Sequence, residues 1–353
     1  MLSTVGVSGQ QLAISLSDRA QSFQEIPANA GGRTQEQERS GIRSYRFQWP
    51  AAYFECAFKG QSVAFAVNSS EVIYHVVVDG RLQPPLVKPK VGRYEITGLT
   101  KGKHTLRIED VTENSAPQEF GGFYVGPHTR AFRLPTRKRQ IEFIGDSYMA
   151  GYGNTSNTRD CTPEQVWLRT DTSSSFPVLL AKHYNADYQV NAVSGRGIVR
   201  NYDGFVGFTI PEVYSYTFFD KTVSWNNPKW SPEIIWIDLG SNDFATPVHP
   251  NEKWKTRDEL RDDFQTTYLA FVQKIRERNP HAHLILSASD KGFAPDLKGV
   301  IEKLKALGET KVGYMLYPDL QLMGCNWHLT LEDDQKVAGM MMTYIDKEIG
   351  ADW

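Results

Sequence analysis

Hydrophobic and polar residues alternate along roughly the first third of the chain, in short runs interrupted by glycine, proline and polar pairs. Alternation with a period of two is typical of β-strands that bury one face. The Asp79-Gly80 pair separates two such runs and favours a hairpin turn. The pattern predicts strands at Ile42–Trp49, Tyr53–Phe58, Ser62–Val67, Val72–Val78, Arg93–Ile96 and His104–Val111. Many short strands in succession predict a sandwich of two sheets.

The pattern changes after a basic, proline-containing segment at Arg133–Arg139, which predicts a boundary between a domain at 1–135 and a second at 136–353. From there, apolar runs of strand length alternate with amphipathic helical patterns. The predicted strands are Ile141–Gly145, Tyr188–Ala192, Glu233–Leu239, Leu284–Ala288 and Val312–Leu316, and the predicted helices are Phe176–Tyr184, Arg257–Arg278, Leu297–Leu307 and Glu332–Ile349. Alternation of this kind predicts an α/β fold of three layers, with a parallel sheet of about five strands and helices on both faces.

A long segment at 201–232 follows neither pattern and is rich in aromatic residues. These are Tyr202, Phe205, Tyr214, Tyr216, Phe218, Phe219, Trp225 and Trp230. A connection of this length in a compact domain is usually functional. Two interpretations stay open: most of the rings pack against the β-sandwich, or one or two of them form a platform for the apolar faces of sugar rings.

One apolar run ends in a serine. Ile141–Ile144 is followed by Gly145, Asp146 and Ser147. A run of this kind is typical of a buried parallel strand, whose carboxyl end opens on the crevice where α/β sheets bind ligands. Ser147 is therefore a candidate nucleophile, although Asp-Ser also occurs in ordinary turns and helix caps. Because a serine hydroxyl is inert at its ordinary pKa, the hypothesis requires a base and an oxyanion site in the same chain.

Three further blocks follow in the chain. Asn191–Gly197 and Leu239–Phe244 each come after an apolar run, and Trp327-His328 precedes the last helical pattern. Four blocks in this order resemble the SGNH, or GDSL-type, hydrolases, in which serine, glycine, asparagine and histidine come from four such blocks.

The wider context of these blocks is similar to carbohydrate esterase family 2 in particular. It consists of Gly151–Asn154 after the serine, Ser194–Tyr202 and Gly240–Phe244. Members of that family carry a β-sandwich ahead of the hydrolase domain, so the resemblance covers nearly the whole chain. It implies a jelly-roll-like sandwich followed by a flavodoxin-like parallel sheet.

The resemblance also implies roles for individual residues. His328 would be the base, and the oxyanion hole would take the backbone N–H groups of Ser147 and Gly195 and the side-chain amide of Asn242. Glycine suits its place because it lets the backbone approach the tetrahedral oxygen. Gly195 is also compatible with an ordinary turn, and Asn242 with an Asx turn or a helix cap. His249 is the nearest competitor for the role of base.

One position departs from the simplest family pattern. Many members have an aspartate two residues before the histidine, where this chain has Asn326. An amide oxygen can accept the Nδ1–H of histidine but carries no charge to stabilise the imidazolium. The catalytic arrangement therefore resembles a Ser-His dyad, in which the Asn326 side chain or a backbone carbonyl orients His328. Asp333 and Asp334 lie nearby, but acids are favoured in the first turn of a helix for electrostatic reasons. Expected substrate contacts are Trp327, Tyr152, Trp225 and Phe244.

Charge and cysteine content limit the remaining alternatives. With 353 residues and a net charge of −2, the chain lacks the positive field that gathers nucleic acid or anionic lipid. Cys56 alternates with apolar residues and is expected to be buried. Cys161 and Cys325 lie near the serine and histidine blocks, either bonded to each other, which would favour an oxidising compartment, or as two free thiols.

Met1–Thr4 shows no signal-peptide pattern and no apolar run reaches membrane-spanning length. We expect a cytosolic protein or the mature form of an exported one, with a secreted or periplasmic location favoured.

Together these observations predict a carbohydrate O-acetylesterase that needs no metal or cofactor and acts on plant-type polysaccharides or oligosaccharides. The family resemblance suggests a preference for 6-O-linked acetate. Two alternatives stay open: a lipid or thioester acyl hydrolase on the same scaffold, and a glycan-binding protein whose hydrolase site has decayed.

Overall fold

The computed structural model describes residues 12–17, 23–289, 292–317, 319–350 and 353. Its first part consists of short strands, all paired antiparallel. The strands are β1 (Ala13–Leu16), β2 (Gln24–Ile26), β3 (Asn29–Gly31), β4 (Thr34–Arg39), β5 (Ile42–Phe47), β6 (Tyr53–Gly60), β7 (Val63–Val67), β8 (Ile73–Val78), β9 (Arg81–Leu82), β10 (Leu86–Val87), β11 (Gly92–Thr97), β12 (Gly102–Asp110), β13 (Gln118–Val125) and β14 (Arg130–Phe132).

These strands form the sandwich of two sheets that the alternating pattern predicted. One sheet has the order β1-β11-β7-β13-β5-β4, with β2 beside β13. The other has the order β10-β8-β12-β6-β14, with β3 beside β6 and β9 beside β8. Rings from the two sheets meet in the core, where Phe54 of β6 stacks on Phe120 of β13 with centroids 4.3 Å apart. The inward side chains exclude water, which is the main stabilising contribution to such a sandwich.

The second part is an α/β unit whose parallel sheet has five strands in the order β16-β15-β17-β18-β19. Its strands are β15 (Gln140–Gly145), β16 (Asp187–Ala192), β17 (Ile234–Asp238), β18 (His283–Ala288) and β19 (Val312–Leu316). Its helices are α1 (Ser147–Ala150), α2 (Pro163–Arg169), α3 (Phe176–His183), α4 (Ile210–Val213), α5 (Ser241–Phe244), α6 (Arg257–Arg278), α7 (Ala294–Ala306) and α8 (Leu331–Glu348), with 3₁₀ turns at Thr172–Ser174, Tyr202–Gly204 and Cys325–Trp327. The predicted α/β architecture is confirmed.

Both faces of the parallel sheet are buried. Side chains of α6 and α7 pack on one face, and those of α3 and α8 pack on the other. In this strand order the chain reverses direction across the sheet between β15 and β17, which is where ligands bind in open α/β sheets. Ser147 and Asn242 follow these two strands. No helix among the described residues is both long and apolar enough to span a bilayer.

Part of the aromatic segment at 201–232 packs against the sandwich. Trp49 meets Phe219 edge to face with centroids 4.8 Å apart, and the Arg46 guanidinium lies 4.7 Å from the ring centre of Phe218. The Arg33 guanidinium lies 4.5 Å from the ring centre of Tyr214. Three of the eight rings therefore contact residues of the sandwich, and the sugar platform for one or two of the others stays a prediction.

Candidate active site

The serine block forms a tight turn at the carboxyl end of β15. The Asp146 side chain caps α1 by accepting a hydrogen bond from the Tyr148 N–H at 3.1 Å. The helix ends at Gly151, whose φ of 71° is in the left-handed region that glycine adopts without strain. Ser147 is the first residue of this short helix, so its own N–H has no intrahelical acceptor. The turn therefore presents both a hydroxyl and a free N–H at the crevice.

The histidine block meets this turn. His328 Nε2 lies 2.8 Å from Ser147 Oγ. The other ring nitrogen, Nδ1, lies 2.9 Å from the carbonyl oxygen of Cys325 and 3.0 Å from that of Asn326. Carbonyl oxygens only accept hydrogen bonds, so Nδ1 carries the proton and Nε2 is left as an acceptor for the serine hydroxyl.

The Asn326 side chain takes no part in this contact. Its Nδ2 donates to the Tyr152 hydroxyl at 3.0 Å, and only the backbone carbonyl of Asn326 faces the imidazole. The expectation that the amide side chain orients His328 is therefore corrected in favour of the backbone alternative. The reason lies in the main chain, because Asn326 and Trp327 have φ values of 52° and 65°. This left-handed turn points successive carbonyls at the ring.

A left-handed pair of non-glycine residues persists only where the surrounding structure holds it. Here Cys325 forms a disulfide with Cys161, and the Asn326 N–H donates to the carbonyl of Arg159 at 2.8 Å. Of the two alternatives for Cys161 and Cys325, the structure has the bonded one. The disulfide thus ties the segment that carries the histidine acceptors to the loop after the serine block.

Asp333 and Asp334 have other partners. Asp333 accepts hydrogen bonds from the backbone N–H groups of Gln321 and Leu322 and caps α8 through Thr330. Asp334 accepts from the Asn154 amide at 2.9 Å and from the Phe176 N–H at 2.9 Å. Both acids therefore stabilise the loop and the helix around the site, as expected for acids in the first turn of a helix.

Loss of solvent around the imidazole lowers the pKa of His328 to about 4, and the two carbonyls that accept from Nδ1 only partly offset this. We therefore expect the His328 ring to titrate well below the ordinary imidazole value of about 6.5. The titration can be followed through the imidazole C–H signals by NMR, with His328→Ala for assignment. Since the neutral ring is the base, it would remain available throughout the mildly acidic range. A titration midpoint at or above the ordinary imidazole value would contradict the loss of solvent around His328.

The glycine block supplies a second backbone N–H beside the serine. Gly195 has a φ of 76°, and a Cβ there would lie 3.1 Å from Phe205 Cε1. The positive φ therefore favours glycine, and a side chain there would also crowd the Phe205 ring. In the described part of the chain, neither the Gly195 N–H nor the Ser147 N–H donates to a protein acceptor. Both are free to bind an oxyanion.

The β-sandwich reaches into this block through Glu113, a residue that sequence reasoning missed. One carboxylate oxygen of Glu113 accepts the Ser194 N–H at 2.7 Å, and the other accepts the Ser194 hydroxyl. Because Ser194 directly precedes Gly195, this contact fixes the backbone that presents the glycine N–H. No sequence pattern marks Glu113, since it lies in a loop between two sandwich strands and only folding brings it to Ser194.

The asparagine block follows β17, which lies on the other side of β15 from the strand that leads to the glycine block. Asn242 Nδ2 lies 2.9 Å from Asp146 Oδ2 and 3.0 Å from the carbonyl oxygen of Arg196. Burial raises the pKa of Asp146 to about 6, although the hydrogen bond from Ser241 opposes this effect. Both N–H bonds of the amide have protein acceptors at these distances. Donation to an oxyanion therefore requires one of them to be shared or redirected when substrate is present.

These residues line a cleft of about 570 Å³. Of the four expected substrate contacts, Trp327 and Tyr152 line it. Phe244 does not, because it is only 6% exposed and packs edge to face on Phe264 at 4.9 Å. Trp225 lines a different pocket. It precedes β17, so it lies toward the amino ends of the parallel strands, whereas the catalytic cleft lies at their carboxyl ends. The expectations for Phe244 and Trp225 are thus corrected.

Several residues that were not selected line the cleft or support its wall. Tyr202 and Phe205 belong to the aromatic segment and lie on the rim, with 52% and 41% of their surfaces exposed. Arg159 lies over the Trp327 ring, 3.3 Å from its centre, and donates to the carbonyl of Leu322 at 2.8 Å. The aromatic composition was the signal for Tyr202 and Phe205, whereas Arg159 had none.

Comparison with known proteins agrees with this geometry. Sequence models described as "Carbohydrate esterase 2 N-terminal" and "GDSL-like Lipase/Acylhydrolase family" match residues 30–135 and 143–322. An acetylxylan esterase / glucomannan deacetylase of Cellvibrio japonicus (strain Ueda107) is 38% identical and covers 98% of each chain. The protein belongs to carbohydrate esterase family 2.

Solved structures of this esterase family share the fold. A carbohydrate esterase described as having divergent catalytic and non-catalytic binding functions in its active site superposes with a TM-score of 0.89 and 37% identity, covering 93% of this chain and 99% of the other. A family two carbohydrate esterase from Clostridium thermocellum, solved in complex with cellohexaose, has a TM-score of 0.80 and 26% identity, covering 92% and 100%. This family 2 esterase is thus a serine-type carboxylic-ester hydrolase with a β-sandwich ahead of its GDSL-type domain.

Proposed function

We propose that this esterase removes O-linked acetyl groups from plant-type polysaccharides or their oligosaccharides, with Ser147 as nucleophile and His328 as base in a dyad. The observation that carries the proposal is the contact of 2.8 Å between Ser147 Oγ and His328 Nε2, with two carbonyls behind Nδ1. The name of the relative from Cellvibrio japonicus supports the substrate class. The Cys161–Cys325 disulfide supports an oxidising location, secreted or periplasmic.

In the first half of the reaction, Ser147 Oγ attacks the acetyl carbonyl carbon while His328 Nε2 takes the hydroxyl proton. The carbonyl oxygen becomes an oxyanion, to which the backbone N–H groups of Ser147 and Gly195 donate, together with the Asn242 amide once one of its N–H bonds is redirected from its protein acceptor. The bond from the carbonyl carbon to the sugar oxygen then breaks. The imidazolium returns its proton to that oxygen, so the sugar leaves as an alcohol and an acetyl group remains on Ser147.

In the second half, water takes the place of the sugar. His328 accepts a proton from the water as it attacks the acetyl carbonyl, and the same donors bind the second oxyanion. Collapse releases acetic acid and returns the proton to Ser147. In both halves the carbonyls of Cys325 and Asn326 accept from Nδ1, and their partial negative charge stabilises the imidazolium in place of a carboxylate.

The distribution of rings around the cleft favours a sugar at its rim and an acetyl group at its base. Trp327 and Tyr202 are mostly exposed, at 62% and 52%, and offer ring faces on which pyranose rings can stack. A primary 6-O acetate extends from the sugar ring through an extra carbon. It would reach Ser147 while the ring stays at the rim, which favours this position over acetates attached directly to ring carbons.

The alternative of a lipid or thioester hydrolase can be tested by acyl-chain length. We expect p-nitrophenyl acetate to be cleaved roughly 5- to 150-fold faster than the butyrate and octanoate esters, because a longer acyl chain would have to displace side chains that line the cleft, at a cost of about 1–3 kcal/mol. The measurement is kcat/KM for the three esters under identical conditions. Rates that stay equal or rise with chain length would favour the lipid or thioester hydrolase.

A further inference from the structure

A second pocket lies toward the amino ends of the parallel strands, whereas the catalytic cleft lies at their carboxyl ends. It has a volume of about 570 Å³, equal to that of the catalytic cleft, and shares no lining residue with it. Glu142 of β15 lies at its base. Ser147 follows the same strand about 16 Å further along. The two pockets therefore lie toward opposite ends of β15.

Two tryptophans form walls of this pocket, and both are half-buried. Trp230 is held through its indole N–H, which donates to Glu142 Oε2 at 3.3 Å. Trp225 lies beside Arg33, whose guanidinium is 5.6 Å from the ring centre. Neither ring has to be ordered when a ligand arrives, so a contact with either one costs little conformational entropy.

The base of the pocket is a buried ion pair. Arg33 Nη2 lies 3.0 Å from Glu142 Oε1, with both side chains 1% exposed. Arg33 also donates to Gln189 Oε1 at 3.1 Å and to the backbone carbonyl of Tyr214. Since each charge is paired and hydrogen-bonded, the base is neutral overall and rigid.

The rim, in contrast, carries polar groups without protein partners. The side chains of Asn226, Ser231 and Arg278 are exposed, and none of them makes a hydrogen bond or ion pair with another described residue. Together they offer an amide, a hydroxyl and a guanidinium around two indole rings. Flat apolar surfaces flanked by mixed donors and acceptors suit a ligand that has an apolar face and many hydroxyl groups.

We propose that this pocket is a second carbohydrate-binding site that takes a pyranose unit of a polysaccharide, stacked on Trp225 and hydrogen-bonded by Asn226, Ser231 and Arg278. Arg278 leaves one positive charge at the rim, because Arg33 is neutralised by Glu142. The unit is therefore either a neutral sugar or a uronate, whose carboxylate Arg278 would bind. Binding here would hold the polymer on the enzyme without occupying Ser147.

The test measures binding, so its result is separate from that of the deacetylation proposal. The full-length protein is titrated by affinity electrophoresis with deacetylated glucomannan and, in a second arm, with glucuronoxylan. Trp225→Ala is compared with Trp327→Ala, which removes the tryptophan of the catalytic cleft. Asn226→Ala is compared with Asn251→Ala, because Asn251 is also exposed and lines neither pocket. Turnover of p-nitrophenyl acetate reports whether the variants at Trp225, Asn226 and Asn251 are folded.

We expect Trp225→Ala to weaken binding about tenfold and Asn226→Ala about threefold, with Asn251→Ala unchanged and p-nitrophenyl acetate turnover retained in all three. A loss of affinity confined to glucuronoxylan would identify the bound unit as a uronate. A loss of affinity for both polymers would identify it as a neutral sugar. Wild-type affinity in Trp225→Ala, together with abolished binding in Trp327→Ala, would overturn the proposal. If Trp225→Ala also loses turnover, the affinity of Asn226→Ala becomes the test of the proposal. Unchanged affinity in Asn226→Ala would then overturn the proposal.

Discussion

Ser147→Ala and His328→Ala are each expected to lower kcat for p-nitrophenyl acetate by roughly 10⁴-fold or more. The alanine side chain at 147 has no atom to attack the carbonyl. Without His328, the serine hydroxyl keeps its proton and stays a weak nucleophile. Because the two residues act as one unit through their contact of 2.8 Å, the double variant should be no slower than the slower single variant.

Matched variants separate this effect from damage to the fold. Ser15→Ala changes an exposed serine in the sandwich, and His249→Ala changes a surface histidine that pairs with Asp203 at 2.8 Å. Both should retain wild-type turnover, and all variants should have unaltered thermal unfolding. Turnover within tenfold of wild type in Ser147→Ala would exclude it as nucleophile, and a collapse in His249→Ala would make that residue the better candidate for the base.

Asn242→Ala is expected to lower kcat by about 10²–10³-fold with little change in KM, the effect of losing one oxyanion donor. The donation takes place only when charge develops on the substrate oxygen, so ground-state binding should be nearly unaffected. Steady-state kinetics on p-nitrophenyl acetate measures both parameters.

A control is needed because Asn242 also donates to Asp146. Ser241 donates to the same carboxylate oxygen at 2.5 Å, so Ser241→Ala weakens the hydrogen bonding of Asp146 without removing the amide. We expect this variant to lose much less activity. An equal loss in the two variants would mean that Asn242 acts by holding Asp146 and the serine turn, and that the oxyanion is bound by the two backbone N–H groups alone.

The fold could be predicted from the sequence wherever a periodic pattern coincided with burial. The helix Arg257–Arg278 and the strand Val312–Leu316 agree with the structure to the residue. The polar strand Thr34–Arg39 was missed, because an edge strand with little buried surface has no apolar alternation to detect. Gln118–Val125 was missed for the opposite reason, since it is buried along nearly its whole length and contains two adjacent glycines.

The site was predictable where chemistry depends on local sequence. Ser147, Gly195, Asn242 and His328 follow recognisable blocks, and the structure brings all four to one cleft. The groups that depend on tertiary contacts were not predictable. Glu113 reaches Ser194 from the β-sandwich, and the acceptors for His328 are carbonyls set by a left-handed turn. Trp225 was wrongly predicted to contact substrate. Its distance in sequence from the asparagine block does not reveal whether the chain there lies at the amino or the carboxyl ends of the strands.

The central claim is that Ser147 and His328 deacetylate a polysaccharide. It is tested most directly by following acetylated glucomannan by proton NMR with the wild-type protein and with Ser147→Ala. We predict that the wild type converts bound acetyl signals to free acetate, with 6-O acetates lost first, and that Ser147→Ala leaves the spectrum unchanged. Bound acetyl signals that persist with the wild type, or acetate release by Ser147→Ala at the wild-type rate, would contradict the claim.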